Sequence, residues 1–242
     1  MLREMASTYG RSPGGYAWAV LSPLGAVVLM AFAFSFMLRS PSLGSSFVLF
    51  YATGYLPFDL YSQLQRKIGA SLKFSRPLLA YPGVGWAHAV IARFLLNTLT
   101  LLTVFCIVIA GILVAVETQT LLRVLPILEG LAMVALLGLG VGLINCLLMG
   151  LFDVWERVWP ILSRPLFLAS AIFYIYEDVP AFAKAVLWWN PIVHAVGTVR
   201  TGFYPTYDAS YVSPAYAFGL PLALIVAAML FLRRYYRRAL ER

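Results

Sequence analysis

Twenty-three consecutive residues, Tyr16 to Leu38, carry no charged side chain, and uncharged apolar runs recur to the end of the chain. A helix rises about 1.5 Å per residue, so about 20 apolar residues cross a hydrocarbon core of roughly 30 Å. With 62% hydrophobic and only 12% charged residues, too little polar surface remains to cover a soluble globule of 242 residues. The mean hydropathy of +0.84 agrees. The chain reads as an all-α membrane protein forming one domain over residues 1–242.

Between two of these runs lies Gln65 to Trp86, QRKIGASLKFSRPLLAYPGVGW, which holds Arg66, Lys67, Lys73 and Arg76 and no acidic residue. Short loops rich in Lys and Arg stay on the cytoplasmic side, so this stretch sets the orientation of the spans around it. The runs then read as six transmembrane helices: 16–38, 47–60, 94–116, 124–152, a fifth around 165–176, and 215–232. The fifth has only 12 uncharged residues and needs part of 158–164 to cross. On this layout fourteen of the 18 basic residues fall on the cytoplasmic side, with Arg39, Arg123, Lys184 and Arg200 opposite. Both termini are then inside.

Residues 1–15 precede the first span. Leu2, Met5, Ala6 and Tyr9 recur at helical spacing against Arg3, Glu4, Ser7, Thr8 and Arg11, the pattern of an amphipathic helix lying in the interface. A solvated terminus is the alternative. The first run lacks a small-residue cleavage site and is too long for a signal-peptide core, so it reads as an uncleaved span. Gly138 and Gly142 have the spacing that lets helices approach closely in lipid. Asp59 lies near the inner end of span two, where it serves either function or the interface. Between Pro180 and Pro191, PAFAKAVLWWNP has the look of a short amphipathic helix that dips into the outer leaflet. The whole of 177–212 reads as a re-entrant region, tolerable at membrane depth only where protein or water satisfies its backbone.

Several chemistries are missing. No G-x-x-x-x-G-K-[ST] phosphate loop occurs, no H-E-x-x-H, and no G-x-S-x-G elbow; His88 and His194 stand far apart. Cys106 and Cys146 lie in apolar spans without metal-ligand spacing, and no metal is expected. The net charge of +8 belongs to span ends rather than to one soluble face, which argues against nucleic acid. With no nucleotide site of its own, the chain is not read as an enzyme. Energy must enter from outside, and the basic stretch is the place. A helix over Tyr61 to Lys73, extending to Arg76 and interrupted by no proline before Pro77, is the expected lever.

Four segments carry a resemblance: REMASTYGRSPGGYAWAVLSP near the start, ARFLLNT at 92–98, RPLFLASAIFYIYEDVP at 164–180 and WNPIVHAVGTVRTGFYPTY at 189–207. They resemble the transmembrane permease subunit of type-2 ABC exporters, in the branch that exports capsular polysaccharide from Gram-negative bacteria. The similarity runs over nearly the whole chain; O-antigen permeases share the layout. It implies an inner-membrane homodimer with two separate ATP-binding subunits that hold ATP and magnesium, this chain binding no cofactor. It also implies an interface helix, a cytoplasmic coupling helix over 61–76 and short re-entrant helices before the last span. A periplasmic co-polymerase leading to an outer-membrane exporter would complete the assembly, and the substrate would be a lipid-linked polysaccharide, often acidic. A lipid or drug exporter of the same superfamily and a non-transporting scaffold are the rival readings.

On these grounds Gln65, Arg66, Lys67, Ser71, Lys73, Phe74 and Arg76 are the candidates for coupling to the ATPase. For the substrate path they are Arg3, Arg11 and Arg93 at the inner mouth and the aromatics Tyr16, Trp18, Phe173, Tyr174, Tyr176, Trp188 and Trp189, which also suit membrane-belt anchoring. Arg200 is expected to hold the re-entrant segment through Glu177, Asp178 or Asp208. His194 is expected to make a structural hydrogen bond near Asn190-Pro191, the expected end of a re-entrant helix.

Overall fold

The computed structural model describes residues 17–36, 40–79, 85–116 and 121–241. The interface helix expected over residues 1–15 lies outside the described residues, as do Arg3, Arg11 and Tyr16. The described chain is helical: α1 (Ala17–Ser35), α2 (Phe47–Gly69), α3 (Ser71–Leu79), α4 (Trp86–Ala115), α5 (Val124–Leu151), α6 (Trp155–Leu168), α7 (Ala181–Leu187), α8 (Pro191–Phe203) and α9 (Pro214–Glu241), with one 3-10 turn at Tyr176–Asp178. Among the described residues, four segments are long and apolar enough to cross a membrane: Ala17–Ser35, Trp86–Ala115, Val124–Leu151 and Pro214–Tyr236.

Span two was expected to fade at Leu60, with a separate lever over 61–76. Instead, α2 begins where the Ser46 hydroxyl accepts the Leu49 N–H and runs unbroken to Gly69. Tyr61, Leu64 and Ile68 continue its apolar stripe at helical spacing, and all three are buried. The helix breaks at Ala70, and the chain restarts as α3, so the expected lever is divided into the end of α2 and a separate short helix. Polar side chains on the outer faces of this stretch hide its burial from any hydropathy average.

Two ends of the bundle can be told apart by contacts. At one end the 40–46 turn meets the 203–206 turn, and the Arg123 N–H donates to the Gly202 carbonyl at 2.8 Å. At the other, α3 meets the start of α4 and the α5–α6 junction. The main core is built by α2, α4, α5 and α8. A second cluster, with Ile68, Leu72, Val90, Leu143, Cys146 and Leu232, lies under α3.

Glycines set the closest approaches. A Cβ on Gly138 would lie 2.9 Å from Leu64 Cβ, and one on Gly142 2.6 Å from Ile68 Cβ. The pair noted in the sequence therefore serves packing of α5 on α2 within one chain.

The region from 165 to 203 also differs from the expectation. The expected fifth run is split: α6 ends at Leu168, and 169–175 follows as irregular backbone with Ser170, Ala171 and Ile172 buried. Asn190 does not simply end a helix. Its side chain accepts the Ile192 N–H at 3.0 Å and so starts α8, with Pro191 in the first turn where a missing N–H costs nothing.

Candidate functional site

The α2–α3 elbow sorts the expected coupling residues into two groups. Arg66, Lys73, Phe74 and Arg76 face outward. Lys73 donates to Glu156 at 2.8 Å, and that carboxylate raises its pKa above the ordinary lysine value. Gln65 and Ser71 are instead buried. Ser71 is fully buried, with its hydroxyl donating to Ile68 and touching Cys146 Sγ at 3.5 Å. Gln65 is 3% exposed; its Oε1 accepts from Asn145 Nδ2 at 3.1 Å and from the Trp159 indole N–H at 2.9 Å. The Asn145 Oδ1 in turn accepts the Trp155 indole N–H at 2.9 Å. An amide deep in an apolar bundle needs its hydrogen bonds made, and this four-residue network makes them across α2, α5 and α6.

Lys67 and Arg93 also turn inward. Lys67 donates to Asn97 Oδ1 at 2.7 Å. Arg93, expected at the substrate mouth, is 8% exposed, donates to the Ala70 carbonyl at 3.3 Å and lies 4.3 Å over the Phe74 ring. The Ala70 carbonyl also accepts the Phe74 N–H at 3.0 Å, so Arg93 adds a second donor there and fastens α4 to the elbow. Both still line an open cleft of about 370 Å³ with Gln63 and Arg66.

At the other end Arg200 is buried, with 1% exposed, and its partners are not the carboxylates expected from the sequence. Its guanidinium donates to the Tyr174 carbonyl at 2.8 Å and the Ile172 carbonyl at 3.0 Å, and it lies 4.3 Å over the Phe50 ring. Among the described residues no acidic side chain lies within ion-pair distance of it. Glu177 instead accepts the Tyr207 hydroxyl at 3.0 Å. Gly54 permits the clamp, because a Cβ there would sit 2.9 Å from Arg200 Nη2 and 3.0 Å from Ile172 Cα. An arginine fits this place because its fork can hold two carbonyls at once in a segment with no helical partners for them.

His194 is fully buried beside Trp188, Tyr211 and Tyr216. Its Nδ1 accepts the Ser213 N–H at 3.2 Å, so Nε2 carries the proton donated to the Trp188 carbonyl at 2.7 Å. This neutral ring ties the start of α8 to the turn before α9.

The aromatics do not form one platform. Phe173 packs inside against Phe34, Tyr51 and Phe167. Tyr176 stacks on Tyr211 at 4.1 Å and Trp188 on Tyr216 at 5.1 Å, which occupies those faces. Tyr174 lines an apolar groove of about 700 Å³ between α6 and α7. Trp189 and Trp18 are exposed, on α1 in the case of Trp18 and at the α7–α8 corner in the case of Trp189.

Asn97, Asn145, Trp155 and Trp159 were not singled out from the sequence. The two tryptophans stand one helical turn apart beside a polar α5 terminus, the one signal that points to them.

Comparison with known proteins agrees with this architecture. The profile of the family described as ABC-2 type transporter matches residues 1–204. Polysialic acid transport protein KpsM of Escherichia coli is 28% identical over 231 residues, covering 96% of this chain and 88% of the relative. Capsule polysaccharide export inner-membrane protein BexB of Haemophilus influenzae is 23% identical over 236 residues, covering 97% and 89%. The corresponding protein CtrC of Neisseria meningitidis is 20% identical over 235 residues, with the same coverage. From the match to residues 1–204 and the apolar helices that carry it, the chain belongs to the ABC-2 type transporter family.

Proposed function

We propose that this chain is the inner-membrane permease of an ATP-driven exporter that moves a capsular polysaccharide from cytoplasm to periplasm. The observation that carries the reading is similarity over 96–97% of the chain to proteins named for polysialic acid transport and capsule polysaccharide export. Two ATP-binding subunits, which hold the ATP and magnesium, dock at the α2–α3 elbow. The exposure of Arg66, Lys73, Phe74 and Arg76 supports that choice, since three cationic side chains and one apolar ring are open to a partner along this short stretch.

The permease works as a homodimer. Within one copy the core is filled by side chains such as Leu64, Val134, Val193 and Val196, each with no exposed area, which favours a polymer path between two copies. Six spans are formed by α1, α2, α4, α5, α6 with 169–175, and α9, with both termini cytoplasmic, and α7 and α8 are re-entrant. In support, Thr198 of α8 reaches Met133 and Gly202 reaches Arg123, so α8 runs beside only the outer part of α5. The charge bias supports the orientation. An acidic, lipid-linked polymer suits the basic cleft of Arg66, Lys67 and Arg93. A periplasmic co-polymerase and an outer-membrane exporter would take the polymer onward.

Removal of the gene tests the reading. Polymer retained in the cytoplasm, with export restored by the wild-type gene, is the expected result. Unchanged surface polysaccharide refutes it, and retention of a different lipid-linked glycan moves the substrate to the O-antigen or lipid class.

A further inference from the structure

The elbow and the Arg200 clamp are at opposite ends of the bundle, and α6 joins them. This helix has no fully buried residue, so its position depends on a few attachments. At its start, Trp155 and Trp159 donate to Asn145 and Gln65, and Glu156 pairs with Lys73 of α3. At its end, Phe167 packs against Phe58 at 5.2 Å and Tyr55 at 6.4 Å of α2. The chain then passes Gly54 and delivers the Ile172 and Tyr174 carbonyls to Arg200. The strap therefore runs antiparallel along α2, through Gln65–Trp159, Phe58–Phe167 and Gly54–Ile172. It is polar-locked at the elbow and clamped to α8 at the far end.

We infer that Trp155 and Trp159 are positioning residues that transmit movement of the α2–α3 elbow through α6 to the Arg200 clamp and so to α8. The exposed Lys73–Glu156 pair cannot carry this alone, because solvent screens it and both side chains are free to reorient. The indole donors can, because they end on the buried Gln65–Asn145 amide pair, which is fixed to α2 and α5. The inference rests on the proposed function, in which an ATPase moves the elbow.

The test compares hydrogen exchange in the permease–ATPase complex with and without trapped nucleotide, for the wild type, for Trp155→Phe/Trp159→Phe, and for the milder Trp159→Phe. Phenylalanine keeps most of the ring packing and removes the N–H. In the wild type, nucleotide trapping should change exchange both in α3 and at 169–175. In the double variant the α3 response should persist while the 169–175 response falls about fivefold or more, with ATP hydrolysis retained and export lost; Trp159→Phe should lie between. A full 169–175 response in either variant that folds, or a wild type in which α3 responds and 169–175 does not, overturns the link while leaving the exporter reading intact. A wild type that binds no ATPase overturns both.

Discussion

Replacing Gly142 by alanine tests the α2–α5 packing on which the elbow rests. A Cβ at this position would lie 2.6 Å from Ile68 Cβ, 2.9 Å from Ile68 Cγ2 and 3.2 Å from Gln65 Cα. Neither neighbour is the free end of a flexible chain, so α2 must move, at about 1–3 kcal/mol for overpacking of this kind. Alanine also gains up to about 1 kcal/mol of helix propensity over glycine, which would mask part of the cost. Gly111→Ala supplies the correction, because Gly111 is also helical and a Cβ there meets nothing within 4 Å. The two variants share the propensity gain, so their difference isolates the clash. At about 2–4 °C per kcal/mol for a chain of this size, Gly142→Ala should melt about 2–12 °C below Gly111→Ala in the same detergent. Equal melting temperatures would refute the close approach, and with it the buried placement of Gln65.

Three further outcomes follow from the same contacts. Arg66→Glu/Arg76→Glu should reduce co-purification with the ATPase by roughly tenfold without lowering the melting temperature, because both side chains face solvent; undiminished association would remove the elbow as the docking face. Gln65→Ala should instead lower thermal stability, since it strands the Trp159 and Asn145 donors in a buried site at about 1–3 kcal/mol each; a stable variant with selectively lost ATPase binding would restore Gln65 to the docking surface. Arg200→Met should leave the Ile172 and Tyr174 carbonyls without donors and raise hydrogen exchange around them, and unchanged exchange at 172–175 would show that the clamp is dispensable.

The apolar runs of α1, α4, α5 and α9 were legible because charge is absent for a full crossing length, a signal that needs no neighbour to interpret. The continuation of α2 past Leu60 was also written in the sequence, as Tyr61, Leu64 and Ile68 at helical spacing. Averaged polarity concealed it, since Gln63, Arg66 and Lys67 project from the other faces. Gln65 was expected on the outward side of the elbow and is buried: an amide among basic residues reads as surface, and only donors far along the chain, on Asn145 and Trp159, make its burial tolerable. Arg200 was singled out because positive charge is scarce in its part of the sequence, and it is buried. Its partners were not legible, because backbone carbonyls of an irregular segment have no periodic signature. The aromatics were found as a class, but which faces remain open depends on stacking pairs such as Tyr176–Tyr211 that only the fold defines.

Reconstitution addresses the central claim most directly. The permease and its ATPase partner are placed in proteoliposomes with the ATPase facing outward, lipid-linked polysaccharide is added outside, and polymer protected inside the vesicles is measured with and without ATP. The account predicts protected polymer that accumulates only with hydrolysable ATP and is lost in Arg66→Glu/Arg76→Glu. Accumulation independent of ATP, or hydrolysis without accumulation by the wild-type complex, would contradict it.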